Sequence, residues 1–154
     1  MPKLASVCHY IIRKCNDLDI YINKMKLQNL IYYCQSWSLA HDRGKLFSEH
    51  FEAWTRGPVI KSIYNIFKEK PMYEKITIHD IENIHLKYFL TEDDKQLIDA
   101  VILHYGKFTE DQLEALVCME EPWRRARNCK NHISEEIMER YYKYILKSYY
   151  DDAS

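Results

Sequence analysis

Between Met25 and His41 the sequence MKLQNLIYYCQSWSLAH sets Leu27, Leu30, Cys34, Trp37 and His41 three or four residues apart. That is the spacing of one face of an α-helix. Ile31, Tyr33 and Ala40 widen the stripe, and Met25 and Leu39 add apolar surface elsewhere on it. A helix apolar over most of its circumference has to be enclosed by other elements. The stretch therefore predicts a central, buried helix with the rest of the chain packed around it. Asn23 is placed to cap its start. Gly44 is placed to stop it, as the residue that takes positive φ without strain.

The flanking sequence supplies the shell. Leu4, Val7, Cys8, Ile11, Ile12 and Cys15 repeat the same period and mark a first helix ending near Asn16-Asp17. After the central helix, Phe47, Phe51 and Trp54 bracket a short polar turn, which fits a small β-hairpin near Phe47–Trp54. Arg56-Gly57-Pro58 turns the chain into another helix, with Pro58 preset for its first turn and Val59, Ile60, Ile63, Ile66 and Phe67 as its apolar face. From Lys68 to Leu90 the pattern is weakest. Ile76 and Ile78, then Leu86, Tyr88 and Leu90, alternate as short extended pieces would.

The second half has clearer helix starts. Thr91 with Asp94, and Thr109 with Gln112, have capping-box spacing, and Phe108 is placed to staple onto Leu113. Leu97, Ile98, Val101, Ile102 and Tyr105 form the first of these faces, which Gly106 ends. Leu116 and Val117 continue the second. Pro122 starts a new turn at Trp123. Ser134 caps the last helix, with Glu135 and Glu136 where the helix dipole favours anions. Its expected face is Ile137, Met138, Tyr141, Tyr142, Ile145 and Tyr149, and residues 151–154 should fray. The fold class expected is mainly α: five to six helices packed around a central buried helix, with a small β-hairpin, as one domain over 1–150.

Length agrees with one domain, since 154 residues bury about 70% of the surface an unfolded chain exposes. Only 3 Gly and 4 Pro leave few flexible joints. A net charge of −1 builds in no long-range attraction to nucleic acid or anionic membrane. No window approaches 18 apolar residues, so no transmembrane helix is expected. Met1-Pro2-Lys3-Leu4 opens no signal sequence. The five cysteines (Cys8, Cys15, Cys34, Cys118, Cys129) are odd in number and unpaired in spacing. A reduced, cytoplasmic setting is expected for them.

Catalytic chemistry finds little support. Structural zinc wants C-x-x-C pairs or helically spaced His, and adjacent residues such as Cys8 and His9 diverge by about 100° on a helix. Cys118 and Cys129 have His132 nearby in sequence, without a nucleophile signature. Gly44, Gly57 and Gly106 stand alone, so no phosphate-binding loop is present. No metal, cofactor or catalytic residue is expected. Arg124, Arg125, Arg127 and Lys130 make a local positive patch beside Trp123. It reads first as a solvated face, or as partners of Glu120 and Glu121, and only secondarily as a nucleic-acid contact, because a recognition helix and a basic total are both missing. Tyr33, Trp37 and Trp54 lie on periodic faces and read as core, whereas Tyr144, Tyr149 and Tyr150 lie where an interface fits better.

Across about forty positions the chain also resembles a known family. Leu27-Gln28-Asn29-Leu30-Ile31-Tyr32-Tyr33-Cys34-Gln35, Trp37, Leu39-Ala40, Phe47, Phe51-Glu52-Ala53-Trp54, Gly57-Pro58-Val59, Tyr64 and Phe67 match the pattern of the Panacea domain. That domain is found in SocA-like antitoxins and in prophage proteins of the GepA type. Tyr10-Ile11, Ala100-Val101, Tyr105-Gly106, Glu120-Glu121-Pro122-Trp123 through Arg127, and Ile137 to Tyr142 extend the match. One position departs: Cys118 stands where a His is common. The resemblance implies an antitoxin that holds a cognate toxin inactive by direct contact, with a possible second role as an adaptor delivering it to a protease. A small hydrolase or nucleotide-handling enzyme, or a prophage interaction protein without a toxin, are the alternatives. Tight binding concentrates in a few aromatic or Arg anchors. The partner-binding candidates are Tyr32, Arg56, Trp123 and Arg124, with Trp123 open to a second reading as a plug beneath the last helix.

Overall fold

The computed structural model describes residues 2–86, 89–128 and 131–153. Among them are seven α-helices and one two-stranded antiparallel sheet: α1 (Pro2–Asp17), α2 (Lys24–Ala40), β1 (Glu52–Trp54), β2 (Gly57–Val59), α3 (Lys61–Phe67), α4 (Glu92–Tyr105), α5 (Glu110–Met119), α6 (Glu121–Asn128) and α7 (Glu135–Ala153). A short 3-10 turn, Ile78–Ile81, lies between α3 and α4. The class is mainly α with a small hairpin.

Helix α2 is the hub. It packs against α1, α3, α4, α5, α7 and β2. Leu27, Leu30, Ile31, Tyr32, Tyr33 and Cys34 are all fully buried. Most of its polar residues are buried as well, and four of them hydrogen-bond to irregular backbone around the helix. Gln28 donates to Ile60 O at 3.1 Å and accepts from Ile60 N–H at 3.0 Å. Gln35 donates to Phe47 O at 2.8 Å and accepts from Leu46 N–H at 2.7 Å. The Lys26 ammonium donates to Gly106 O at 2.7 Å, and Ser38 Oγ to Gly44 O at 2.8 Å. Buried backbone groups in loops need such partners, and a helix enclosed on all sides is placed to supply them.

Expected caps form at four helix starts. Asn23 accepts from Lys26 N–H at 2.9 Å. Thr91 and Asp94, and Thr109 and Gln112, exchange their capping-box bonds. Ser134 Oγ accepts from Ile137 N–H. The end of α2 differs: the helix stops at Ala40, with Asp42 already at positive φ before Gly44.

Several expectations are corrected. The hairpin lies later than Phe47–Trp54, with its turn at Thr55-Arg56. Pro58 lies in β2 rather than in the first turn of α3, so Val59 is a strand residue and Ile60 the residue before the helix. No strand forms among the described residues from 68 to 90; Ile76 N–H donates to Ile22 O, and Tyr88 lies outside the described residues. Pro122 opens a full helix, α6, where a turn was expected, which raises the helix count to seven. In α7, Tyr149 is exposed rather than on the buried face, and the helix continues through Ala153.

A tyrosine cluster joins α2 to the second half. Tyr33 stacks on Tyr105, ring centroids 3.9 Å apart. The Tyr33 and Tyr142 hydroxyls both donate to Glu120 Oε1, at 2.7 and 2.8 Å. Trp37 donates its indole N–H to Tyr105 Oη at 2.8 Å. Burial raises the Glu120 carboxyl above its ordinary value, even though both phenol donors act in the other direction.

Candidate functional site

The hairpin is held from three sides. In its register Glu52 faces Val59, Ala53 faces Pro58 and Trp54 faces Gly57. Ala53 turns its backbone away from β2: its N–H donates to Asn131 O, and its carbonyl accepts from Arg127 Nη1 at 3.0 Å. Pro58 is therefore opposite a residue that makes no ladder bond to it, where a missing N–H costs the sheet nothing. The indole of Trp123 donates to Trp54 O at 2.9 Å, and Arg127 lies over the Trp123 ring at 5.6 Å. On the far side, Arg56 at the turn grips Glu114 through Nε and Nη2, at 3.2 and 3.0 Å, and reaches Asp111 at 3.0 Å.

Gly57 lets the hairpin come down onto α2. Its φ is +134°, and a Cβ there would meet Asn29 Oδ1 at 3.2 Å and Val117 Cγ1 at 3.7 Å. Gln28 then pins Ile60, so the chain leaves β2 straight into α3. Lys24 closes the other end, its ammonium donating to Phe67 O, Lys68 O and Lys70 O at 3.4, 3.4 and 2.6 Å. Those are the end of α3 and the residues just after it, where a cation suits the helix dipole.

Between the first turns of α2, the hairpin and α3 lies a half-open cleft of about 490 Å³. Its walls are apolar, with Met25, Trp54, Ile63, Tyr64, Phe67 and Met72 among them. Trp54 and Tyr64 lean together, ring centroids 4.9 Å apart. Lys24, Arg56 and Arg127 bring positive charge to the lining, and no Asp, Glu, His or Cys is part of it. Asn29 is 2% exposed, and its Oδ1, on the same wall, has no hydrogen-bond partner.

Of the four partner-binding candidates, the structure brings two to this hairpin and a third close by. Arg56 lines the cleft but is already paired with Glu114 and Asp111. Trp123 is half-buried behind the hairpin, and Arg124, next on α6, is exposed. Tyr32 is corrected. It is 0% exposed, with its ring against Phe51 and its hydroxyl 3.1 Å from that of Tyr142, so it cannot touch a partner directly. The expected pairing of the basic run is met at Glu121, which Arg125 and Arg140 approach, while Glu120 serves the tyrosines. Lys130 and Cys129 lie outside the described residues.

Sequence reasoning missed Met25, Asn29, Tyr64, Met72 and Arg127 as parts of one site. The one signal available was the pair Gln28-Asn29, polar residues inside an otherwise apolar run. Among the described residues, no group of His, Cys, Asp and Glu is arranged to hold a metal ion, and no helix is long and apolar enough to cross a membrane.

Comparison with known proteins gives this geometry its relatives. The family described as "Antitoxin SocA-like, Panacea domain" matches residues 27–124, which include most of α2, the hairpin, α3, α4, α5 and the start of α6. Antitoxin SocA of Caulobacter vibrioides (strain NA1000 / CB15N) is 28% identical over 117 residues, covering 72% of this chain and 62% of that protein. The chain thus spans less than two thirds of that relative's length. No solved structure matches it. With the family's pattern running from the hub helix into α6, the chain belongs to the SocA-like Panacea-domain family.

Proposed function

We propose that this protein is an antitoxin that holds a cognate toxin inactive in the cytosol by direct protein–protein contact, without chemistry of its own. Family membership carries the reading. The cleft supports it: a substrate-sized hollow with no His, Cys or carboxylate on its wall offers no acid–base pair or thiol to a hydrolase. Neutralisation requires a complex that persists at cellular concentration, and nanomolar affinity corresponds to about −12 kcal/mol. The anchors are Arg56 at the hairpin turn and Trp123 and Arg124 on α6. Delivery of the bound toxin to a protease would use the same contact and leave it in place.

Co-expression with the product of the adjacent gene tests this. Wild-type protein should restore growth to cells making that product. Arg124→Ala, which removes an exposed side chain, should keep its melting temperature and weaken rescue. Arg56→Ala and Trp123→Ala also lose hydrogen bonds within the protein, so their melting temperatures must be read beside their rescue. Full rescue by all three variants would place the contact elsewhere. A purified protein that ignores the neighbour's product and turns over a small molecule would overturn the antitoxin reading.

A further inference from the structure

Three features of the cleft are only partly used within the fold. The first is Asn29 Oδ1. It is buried on the cleft wall without a donor, and an unpaired buried carbonyl costs about 1–3 kcal/mol. The second is charge. Lys24 and Arg127 lie within ion-pair distance of no carboxylate among the described residues, and none lines the cleft. Arg127 spends one donor on Ala53 O and a guanidinium has five. The third is the apolar wall. Tyr64 stays 41% exposed beside Trp54, and Met25 and Met72 offer the adaptable, polarizable surface that aromatic groups favour.

We propose that this cleft receives a short segment of a protein partner in which an aromatic side chain lies next to a carboxylate. The ring packs among Trp54, Tyr64 and the two methionines. A donor N–H of the segment satisfies Asn29 Oδ1, and the carboxylate meets Arg127 within the field of Lys24. The volume is within the range of sites that enclose small ligands, which leaves room for the ring and its neighbours. Extended peptides carry such N–H donors at every residue, and charge complementarity selects an acidic one over a basic one. The partner is the toxin if the antitoxin reading above holds; the binding chemistry of the cleft stands without that reading.

The test uses the full chain, labelled with nitrogen-15, and three capped dipeptides: acetyl-Trp-Glu-amide, acetyl-Trp-Lys-amide and acetyl-Ala-Glu-amide. Acetyl-Trp-Glu-amide should shift the Trp54 indole, Gly57 and Asn29 signals. It should bind about tenfold tighter than acetyl-Trp-Lys-amide, the scale of one hydrogen bond to a charged group, and about tenfold tighter than acetyl-Ala-Glu-amide, which has no ring to bury. Asn29→Ala should weaken that binding while its melting temperature stays level or rises, because no internal bond is lost. Equal binding of the three peptides, shifts away from the cleft, or no binding at all would overturn the proposal. So would an Asn29→Ala variant that loses stability and binds as before. Growth rescue then separates the two readings. If wild type, Tyr64→Ala and Asn29→Ala rescue equally, the cleft is not the toxin's receptor and the antitoxin reading survives. If wild type rescues no neighbour product, that reading fails while the titration still decides the chemistry of the cleft.

Discussion

Gln28 makes two hydrogen bonds to one residue, Ile60, and so fixes where β2 ends and α3 begins. Replacing it with Ala leaves the buried Ile60 N–H unpaired, at about 1–3 kcal/mol, while the Ile60 carbonyl keeps the N–H groups of Ile63 and Tyr64. Gln28→Ala should therefore lower the urea midpoint clearly, whereas a change confined to the surface would leave it within error. Gly57 is the second sensitive position. At φ +134° an L side chain is strained, and its Cβ would crowd Asn29 Oδ1 at 3.2 Å. Gly57→Ala should cost about 1–3 kcal/mol in equilibrium unfolding, and native stability in that variant would show that the backbone there relaxes freely. The sequence shows that Gly57 lies in a turn region, but the reason it offers, a tight lead into Pro58, is not the one the structure uses. Tyr32 was misplaced for a similar reason. Next to Tyr33 on a helix it points about 100° away, which is outward only if the helix has an outside. On α2, 14 of 17 residues are buried, so both tyrosines point inward.

At the scale of elements, the junction of α5 and α6 is held by one carboxyl. Glu120 joins Tyr33 of α2 to Tyr142 of α7, and burial raises its pKa above the ordinary 4.5. Between 4.5 and that raised value the folded protein keeps a proton that the unfolded chain releases. Stability contributed by this group is therefore greatest below 4.5 and falls as pH rises through the window. Glu120→Gln keeps an oxygen to accept both phenols and removes the titration. The difference in unfolding free energy, variant minus wild type, should grow in the variant's favour from pH 4 to 7; a difference that ignores pH would mean the carboxyl is not held above its ordinary range. Elements were legible where a long period or a cap marked them: α1, α2, α4, α5 and α7 all begin close to where spacing and capping residues put them. The hairpin was shifted because three-residue strands are too short to show alternation. Pro58 fits a helix start by type, and only the register shows that it faces a residue bonding elsewhere. The cleft was illegible as a whole, since its wall comes from α2, the hairpin, α3, Met72 and Arg127, which no local pattern joins.

At the scale of the whole molecule, stability depends on a single enclosed helix. Leu30 is 0% exposed on α2, and α2 packs against five other helices and a strand. Leu30→Ala removes packing on a helix that most shell elements share, at about 2–5 kcal/mol, against a whole-domain stability of about 5–15 kcal/mol. The variant should fold with a markedly lower melting temperature. Because the shell helices lean on the same hub, tryptophan fluorescence, which reports α2, the hairpin and α6 through Trp37, Trp54 and Trp123, and far-ultraviolet circular dichroism, which reports all helices, should shift together as one transition. Leu30→Asp adds an uncompensated buried carboxylate and should leave the protein unfolded or insoluble. Leu103→Ala, at a position 82% exposed on α4, supplies the contrast and should melt as wild type. Separate transitions for the two probes in Leu30→Ala would mean that the surroundings of the three tryptophans and the remaining helices are stable independently, and that α2 is a shared neighbour rather than the element on which the whole fold depends.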